Sequence, residues 1–192
     1  ALTAKVQDSR ETLSAQAVGN SLYGLQNMSS EPAEVRALLS ALTVKVKDSR
    51  ETLEAQAVGN SLYGLQNMSS EQTEVRALLS ALTVKVQDSW EALSAQQVGN
   101  SLYGLQNMSS AQAEVRALLS ALTVKVQDSR ETLDAQAVGN SLYGLQHMSS
   151  AQAEVRALLS ALTVKVQDSR ETLDAQAVGN SLYGLQNMSS EQ

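Results

Sequence analysis

The chain repeats itself every forty residues, and this period constrains its fold more than any other feature. Residues 174–188 read DAQAVGNSLYGLQNM, and the same stretch returns with small changes at 134–148, 94–108, 54–68 and 14–28. A fixed period of roughly 20 to 50 residues is typical of architectures in which each unit packs mainly on its neighbours. The sequence therefore predicts one elongated stack without a single central core.

Composition excludes several classes of protein. The chain has 192 residues, a net charge of −6, no Cys and one His. An acidic protein does not gain affinity by neutralising phosphates, and it is not held to anionic lipid by basic residues. Without Cys there is no disulfide or thiol chemistry, and one His cannot form a multi-histidine metal site. No apolar run is long enough for a membrane span and residues 1–6 do not resemble a signal peptide, so we expect a soluble chain with no cofactor and no membrane partner. The compartment remains unspecified.

The first helix of each unit, which we name helix B, is clearest at residues 71–87. Ser69 and Ser70 precede it as candidate N-caps, and Glu71 and Glu74 suit its first turn. Its apolar residues follow the spacing i, i+3, i+4, i+7 and i+11, which places them on one helical face: Val75, Leu78, Leu79, Leu82 and Val86.

A loop at residues 88–93 leads to the second helix, helix A, which is the repeated stretch described first. Ser94 is its predicted N-cap, and Asp134 and Asp174 take that place in later units. The predicted fold is therefore all-α: a right-handed α-solenoid of 40-residue helical hairpins, with about five units in one repeat domain spanning 1–192. The units begin near residues 1, 31, 71, 111 and 151, the first holding half a helix B, and residues 191–192 begin a truncated helix B.

The packing faces of helix A follow from its helical period. Ala15, Val18, Leu22 and Leu25 share the face expected to pack on helix B. Two glycines inside one helix each cost about 1 kcal/mol relative to Ala, so they need a structural reason. We expect close approach of successive A helices, with Gly19 of one unit facing the equivalent of Gly24 in the next and the A helices on the concave side.

A polar inner stripe runs along helix A, pointing away from helix B. One interpretation is a groove in which Tyr stacks on planar groups while Asn and Gln read hydrogen-bonding edges, as in RNA-binding repeat proteins. The alternative is a framework in which Asn20 and its copies brace the neighbouring backbone and Tyr23 fills the gap between units. His147 stands where other units have Asn and is interpreted as a tolerated substitution. The stripe comprises Gln16, Asn20, Tyr23, Asn27, Gln56, Asn60, Tyr63, Asn67, Gln96, Asn100, Tyr103, Asn107, Gln136, Asn140, Tyr143, His147, Gln176, Asn180, Tyr183 and Asn187.

The back of helix B carries small and apolar residues. Ala37, Ser40, Ala41 and Val44 lie opposite the core, so the column Val44, Val84, Val124 and Val164 is a candidate lateral contact with another chain, or simply a set of lightly exposed side chains.

Single positions on the flanks carry further predictions. Arg76 and Glu114 are placed to pair between units, for at most about 1 kcal/mol. Trp90 is expected to cover the end of its hairpin, and Gln97 to widen its joint slightly.

The repeated motif resembles the octotricopeptide repeat. Gln136, Asn140, Leu142, Tyr143 and Leu145 match that motif in spacing, and the EVRALLSAL of helix B is similar to its Ala-Leu-Leu segment. The resemblance covers every unit and implies an α-helical solenoid. Many members of the family are organellar RNA-binding proteins, so it also implies RNA as a partner. Because the Asn and the aromatic belong to every repeat of the family, it favours a framework role for Asn140 and Tyr143.

No constellation in the sequence supports catalysis, since pairs such as Asp48 and Glu51 are loop charges without a neighbouring base or metal cluster. We therefore expect a structural or protein-interaction scaffold that is not an enzyme. It would be an excerpt or building block that associates end to end or with a protein partner. The alternative is a single-stranded RNA binder using the inner stripe, which for such uniform units would prefer a homopolymer and is disfavoured by the acidic charge.

Overall fold

The computed structural model describes residues 1–188, and in this part of the chain all regular structure is α-helical. The predicted start of a further helix B at 191–192 lies outside the described residues. The helices B are α1 (Leu2–Asp8), α3 (Ala33–Asp48), α5 (Thr73–Asp88), α7 (Ala113–Asp128) and α9 (Ala153–Asp168). The helices A are α2 (Ala15–Tyr23), α4 (Ala55–Tyr63), α6 (Ala95–Tyr103), α8 (Ala135–Tyr143) and α10 (Ala175–Gly184).

Helices of the same kind lie side by side in successive units. Each helix A approaches the next helix A, and each helix B approaches the next helix B, so the backbone forms two parallel rows. This arrangement confirms the predicted solenoid of helical hairpins. No helix within residues 1–188 has the length and apolar character needed to cross a membrane.

The core lies between the two rows. The predicted faces of helix B and helix A are both buried, as Val75, Leu79, Val18 and Leu22 illustrate with no exposed surface. Met68, Met108 and Met148, which follow helix A in the interior units, are also completely buried. Side chains of Leu, Val and Met therefore fill the space between the rows, as the helical period predicted.

Helix A is shorter than its sequence period indicates. α2 ends at Tyr23, and the chain continues through three bonds of the i→i−3 type, in which the amides of Leu25, Gln26 and Met28 donate to carbonyls three residues earlier at 2.7–3.1 Å. This tighter winding is common where an α-helix ends. It keeps Leu25 on the packing face although the α-helix has already ended.

The predicted caps have different outcomes. The side chains of Ser94, Asp134 and Asp174 each accept a hydrogen bond from the first turn of their helix A, as expected. The prediction for helix B was wrong, because α5 begins at Thr73 and its N-cap is Gln72, without a side-chain bond. Ser70 serves the next unit instead: its Oγ accepts a hydrogen bond from the amide of Ser109 at 2.9 Å.

The glycines allow close packing, but not of one glycine against another. A β-carbon on Gly19 would lie 3.0 Å from the Cα of Ala57, and one on Gly64 would lie 1.9 Å from the carbonyl oxygen of Leu22. Gly64 has an ordinary helical φ of −60°. The predicted contact between the two glycine positions is therefore wrong, while the close approach of successive A helices that it explained is present.

Candidate binding surface of the A helices

The five tyrosines of the inner stripe form one continuous stacked column. Their ring centroids are 5.5–5.8 Å apart and their planes differ by 19–21° from one unit to the next. This is an offset-stacked geometry, which stabilises aromatic pairs beyond the area they bury. Each inner ring therefore already shares both faces with neighbours, which accords with the framework interpretation of Tyr23 and its copies.

The asparagine that hydrogen-bonds the backbone of the neighbouring unit is not the one predicted. The Nδ2 group of Asn67 donates to the carbonyl oxygen of Gln26 in the preceding unit at 2.7 Å, and Asn107 bonds Gln66 in the same way at 2.6 Å. Asn187 makes the equivalent bond to Gln146. For Asn20 and its copies, no side-chain hydrogen bond to protein is found within residues 1–188. The bracing role therefore falls on the last residue of the stripe rather than the second.

Polar clefts lie between successive A helices. The first, about 370 Å³, is bordered by Gln16, Asn20, Gln56 and Asn60, with Glu54 at its rim. Two more, of about 170 and 310 Å³, have the same amide lining and carry Asp134 and Asp174 respectively. The Gly and Ala that bring the helices together also border each cleft. The structure thus brings the Gln and Asn positions of adjacent units to the same place, one cleft at each of these joints.

A second polar groove, of about 650 Å³, follows the turns between helix A and helix B. Asn67, Asn107, His147 and Asn187 line it together with serines of the turns. His147 is exposed, and no hydrogen bond from it to Gln106 is found in the described chain, whereas Asn67, Asn107 and Asn187 at the equivalent position each bond the preceding unit.

Two charged side chains connect units in a way that the sequence analysis missed. Glu91 of one unit accepts a hydrogen bond from the amide of Ala55, the first residue of the preceding helix A, at 2.8 Å. Lys125 donates to the carbonyl oxygens of Ser89 and Glu91, beyond the end of the preceding helix B. Both contacts are electrostatically favourable, because the N-terminus of a helix attracts an anion and its C-terminus attracts a cation. Their partners are 34 to 36 residues away, so the only signal in the sequence was their recurrence in every unit.

Burial also affects the protonation equilibrium of Lys125. Lys125 is buried, and desolvation lowers the pKa of its ammonium group below the usual value, although the nearby Asp128 acts in the opposite direction.

The prediction for the outer face of helix B was correct for some residues and wrong for others. Val44, Val84, Val124 and Val164 are half-exposed, at 53–55% of their surface, but Ala41, which was predicted on the same outer face, is buried. The predicted ion pair between Arg76 and Glu114 is present, with Nε and Oε1 3.8 Å apart.

Of the predictions made for the two remaining single positions, one was wrong and one is confirmed. Trp90 does not cover its hairpin, because 79% of its surface is exposed. Gln97 does widen its joint: the β-carbon position of Gly59 is 3.5 Å from the Cα of Gln97, compared with 3.0–3.1 Å at the three joints that carry Ala.

The polar groups of the inner surface are mostly amides. Within residues 1–188, no group of three His, Cys, Asp or Glu side chains is placed to hold a metal ion. The inner surface instead offers amides that can both donate and accept, with carboxylates at intervals along it.

No protein-family model, no curated protein and no solved structure matches this chain. The resemblance to the octotricopeptide repeat stays a prediction.

Proposed function

We propose that this chain is a structural or protein-interaction scaffold, an excerpt or building block of a longer assembly in which copies stack end to end and continue the repeat. The observation that carries the proposal is the repetition of the same backbone and ring contacts from unit to unit, together with the apolar side of the last described unit. Leu182 is 67% exposed, whereas Leu102, at the same position two units earlier, is completely buried. Leu173 and Val178 are exposed in the same way, and the residues equivalent to them in the preceding unit are buried.

The first unit presents the complementary side. In the interior units, a carbonyl of the preceding helix A lies against the second glycine, as Leu22 does against Gly64. Gly24 has no such neighbour, since the nearest atoms to its β-carbon position are carbonyls of its own helix at 3.5 Å. The carbonyl of Leu182 from another copy would fill that place, and Tyr183 would stack on Tyr23 of the next molecule. Both contacts repeat ones that already exist within the chain, so an association of this kind needs no new surface.

Self-association tests the proposal directly. We expect the weight-average mass in sedimentation velocity or light scattering to rise with concentration beyond that of a dimer, because a head-to-tail contact leaves a free surface on each end of a dimer and continues into filaments or larger rings. Gly24→Ala should abolish this growth, since the added methyl group occupies the place of the Leu182 carbonyl. The same change leaves the folded chain itself unstrained.

Ser120→Ala, on the outer face of a helix B, is the matched control and should associate like the parent chain. A chain that remains monomeric at high concentration, or a Gly24→Ala variant that grows like the parent, contradicts end-to-end stacking.

RNA binding stays a prediction, and the same samples test it. Stacking of the tyrosines on each other leaves fewer ring faces for bases. We expect little binding to homopolymeric single-stranded RNA. Tight binding that weakens steeply with salt would favour the RNA alternative.

A further inference from the structure

We propose that two copies of this chain pair side by side, with Trp90 of each copy inserted into an apolar groove on the outer face of the other. This contact lies along the row of B helices and goes beyond the end-to-end stacking proposed above, which uses the first and last units. The chain contains one Trp, and 79% of its surface is exposed.

The loop that carries Trp90 differs from its equivalents at three positions. Trp90 replaces the Arg of the other units, Ala92 replaces Thr, and Ser94 stands where the two following units have Asp. This loop is therefore the most apolar of the set, and both Trp90 and Ala92 are exposed. An exposed Trp among polar neighbours is typical of the centre of a protein interface, where Trp, Tyr and Arg are enriched.

The backbone on both sides of Trp90 is fixed by the neighbouring units. Lys125 donates to the carbonyl oxygens of Ser89 and Glu91, the residues immediately before and after Trp90. The carboxylate of Glu91 also accepts a hydrogen bond from the amide of Ala55 at 2.8 Å. Trp90 is thus presented on a loop that is already ordered, and such a preorganised anchor loses less conformational entropy on binding.

The groove that receives the indole, which we name the outer groove, lies between α7 and α9. It is lined by Gln127, Ser160, Ala161, Val164 and Lys165. Its volume of about 280 Å³ is close to that of the smallest pockets that hold organic ligands, roughly 300 Å³, so one indole can enter. Val164 is 54% exposed, and covering it removes apolar surface from water. The ammonium group of Lys165 adds a cation that attracts the face of an indole.

The occupant is a second copy of the chain, because the Trp and the outer groove lie along the same edge of the solenoid. Trp90 follows the end of α5, and the outer groove lies at the C-terminal half of α7 and α9. A two-fold axis parallel to the helices and close to α7 therefore places each Trp90 opposite the outer groove of the other copy. A contact of this kind is reciprocal and closes at a dimer.

The charges around the two features are complementary in this arrangement. Arg50 and Arg130 occupy the loops on either side of Trp90, and within residues 1–188 these exposed side chains form no hydrogen bond or ion pair. Asp128 and Asp168 are exposed at the ends of α7 and α9, one turn beyond the valines of the outer face. The same two-fold axis brings Arg130 of one copy toward Asp128 of the other, which favours this register.

The fluorescence of Trp90 reports on this contact, because no other Trp is present in the chain. As the concentration of the full chain is raised, we expect the emission to move to shorter wavelength and its quenching by acrylamide to fall, since the indole leaves water. Trp90 lies in the third of five units, away from the ends that would stack. End-to-end association therefore leaves its emission unchanged.

The first variant blocks the outer groove and keeps the Trp. The valines of the outer face are equally exposed at the other joints, so all three that follow α3 are changed together: Val84→Gln, Val124→Gln and Val164→Gln. This variant should lose the concentration-dependent shift in emission. Glutamine is uncharged and forms helices at least as well as valine, so the net charge and the fold are retained.

The matched control places three glutamines on the opposite row of helices. Asn20→Gln, Asn60→Gln and Asn100→Gln change exposed or half-buried positions of the A helices and should leave the shift as in the parent.

The second variant removes the anchor and is measured by sedimentation equilibrium. Gly24→Ala serves as the background, because end-to-end growth is removed there and the mass should stop at a dimer. Adding Trp90→Arg, which restores the residue of the other units, should weaken dimerisation by about 30-fold, the change expected for loss of an interface hot spot.

An emission maximum that does not depend on concentration would overturn the inference. So would a shift that survives the three valine changes, a shift lost in the asparagine control, or a Trp90→Arg variant that dimerises like its background. Growth beyond a dimer without a change in Trp emission rejects only this pairing and leaves the stacking intact. A shift in emission by a chain whose mass stops at the dimer rejects only the stacking.

Discussion

The carbonyl oxygen of Leu22 lies only 1.9 Å from the position that a β-carbon on Gly64 would occupy. The same relationship joins Leu62 to Gly104, at 2.0 Å, and Leu102 to Gly144, at 1.9 Å. A distance this short cannot be relieved by rotating a side chain, because the obstructing atom belongs to the backbone. These glycines therefore fix how closely the A helices approach each other.

Gly104→Ala should separate two units and lower the free energy of unfolding by about 2–3 kcal/mol, in the range for overpacking a rigid interior. Gly24→Ala is the matched substitution at a site without that contact, and its effect should be within about 0.5 kcal/mol, as for an ordinary surface change. Urea unfolding followed by circular dichroism measures both. Equal effects at the two sites would show that the glycines are required for another reason.

The tyrosine column should contribute to the coupling between units. Tyr103 stacks on both Tyr63 and Tyr143, and each aromatic pair contributes about 0.5–1.5 kcal/mol beyond buried area. Tyr103→Leu should therefore lower the free energy of unfolding by about 1–3 kcal/mol and reduce the near-ultraviolet circular dichroism signal. Tyr103→Phe keeps the stacked ring and should change stability little. A Phe variant as unstable as the Leu variant would assign the effect to the hydroxyl group.

His147→Asn should stabilise the chain. Asparagine at this position would restore the bond to the preceding unit that Asn67 and Asn107 make. The expected gain is about 0.5–1.5 kcal/mol, the net contribution of one intramolecular hydrogen bond. The reverse change, Asn107→His, should cost a similar amount. Thermal and urea unfolding measure both, and a destabilised His147→Asn variant would show that His147 makes a specific contribution of its own.

The buried ammonium group of Lys125 should make stability depend on alkaline pH. Burial lowers its pKa in the folded chain, whereas in the unfolded chain lysine titrates at about 10.4. Between these two values the unfolded state binds more protons, so the free energy of unfolding rises with pH in that interval. Below the folded-state pKa both states are protonated, and this contribution is constant.

The comparison for this pH dependence is Lys125→Gln, which keeps an uncharged donor at the site. The difference in unfolding free energy, parent minus variant, should increase as the pH is raised toward about 10.4. The other ionisable groups are common to both proteins and cancel. A difference that stays flat, or falls, over this range contradicts the lowered pKa.

The core could be predicted from the sequence because it depends on period alone. Leu78 and Leu82 are buried as the helical spacing of helix B requires, and the same reasoning identified Val18 and Leu22 on helix A. Contacts within one unit, such as the capping of helix A by Asp134, also follow from local chemistry. The predicted ion pair between Arg76 and Glu114 was found because both residues lie on the flanks of the same kind of helix.

Contacts between units were harder to predict, because they depend on how far each helix is rotated and shifted against the next. The period identified Gly19 as a point of close approach but could not show that Ala57, rather than a second glycine, would face it. For the same reason Ser70 was interpreted as a cap of its own helix although it accepts a hydrogen bond from the next unit. Of the candidate site, the sequence identified the residues of the inner stripe. It did not indicate that pairs of them border clefts, which exist only once two helices are placed together.

The one joint that carries Gln97 has a mechanical consequence. If every contact between successive A helices were identical, a force on the solenoid would bend it evenly along its length. The wider contact between Gly59 and Gln97 interrupts that uniformity at a fixed distance along the molecule. We expect the solenoid to bend under load differently at this joint, between its second and third units, than at the joints that carry Ala.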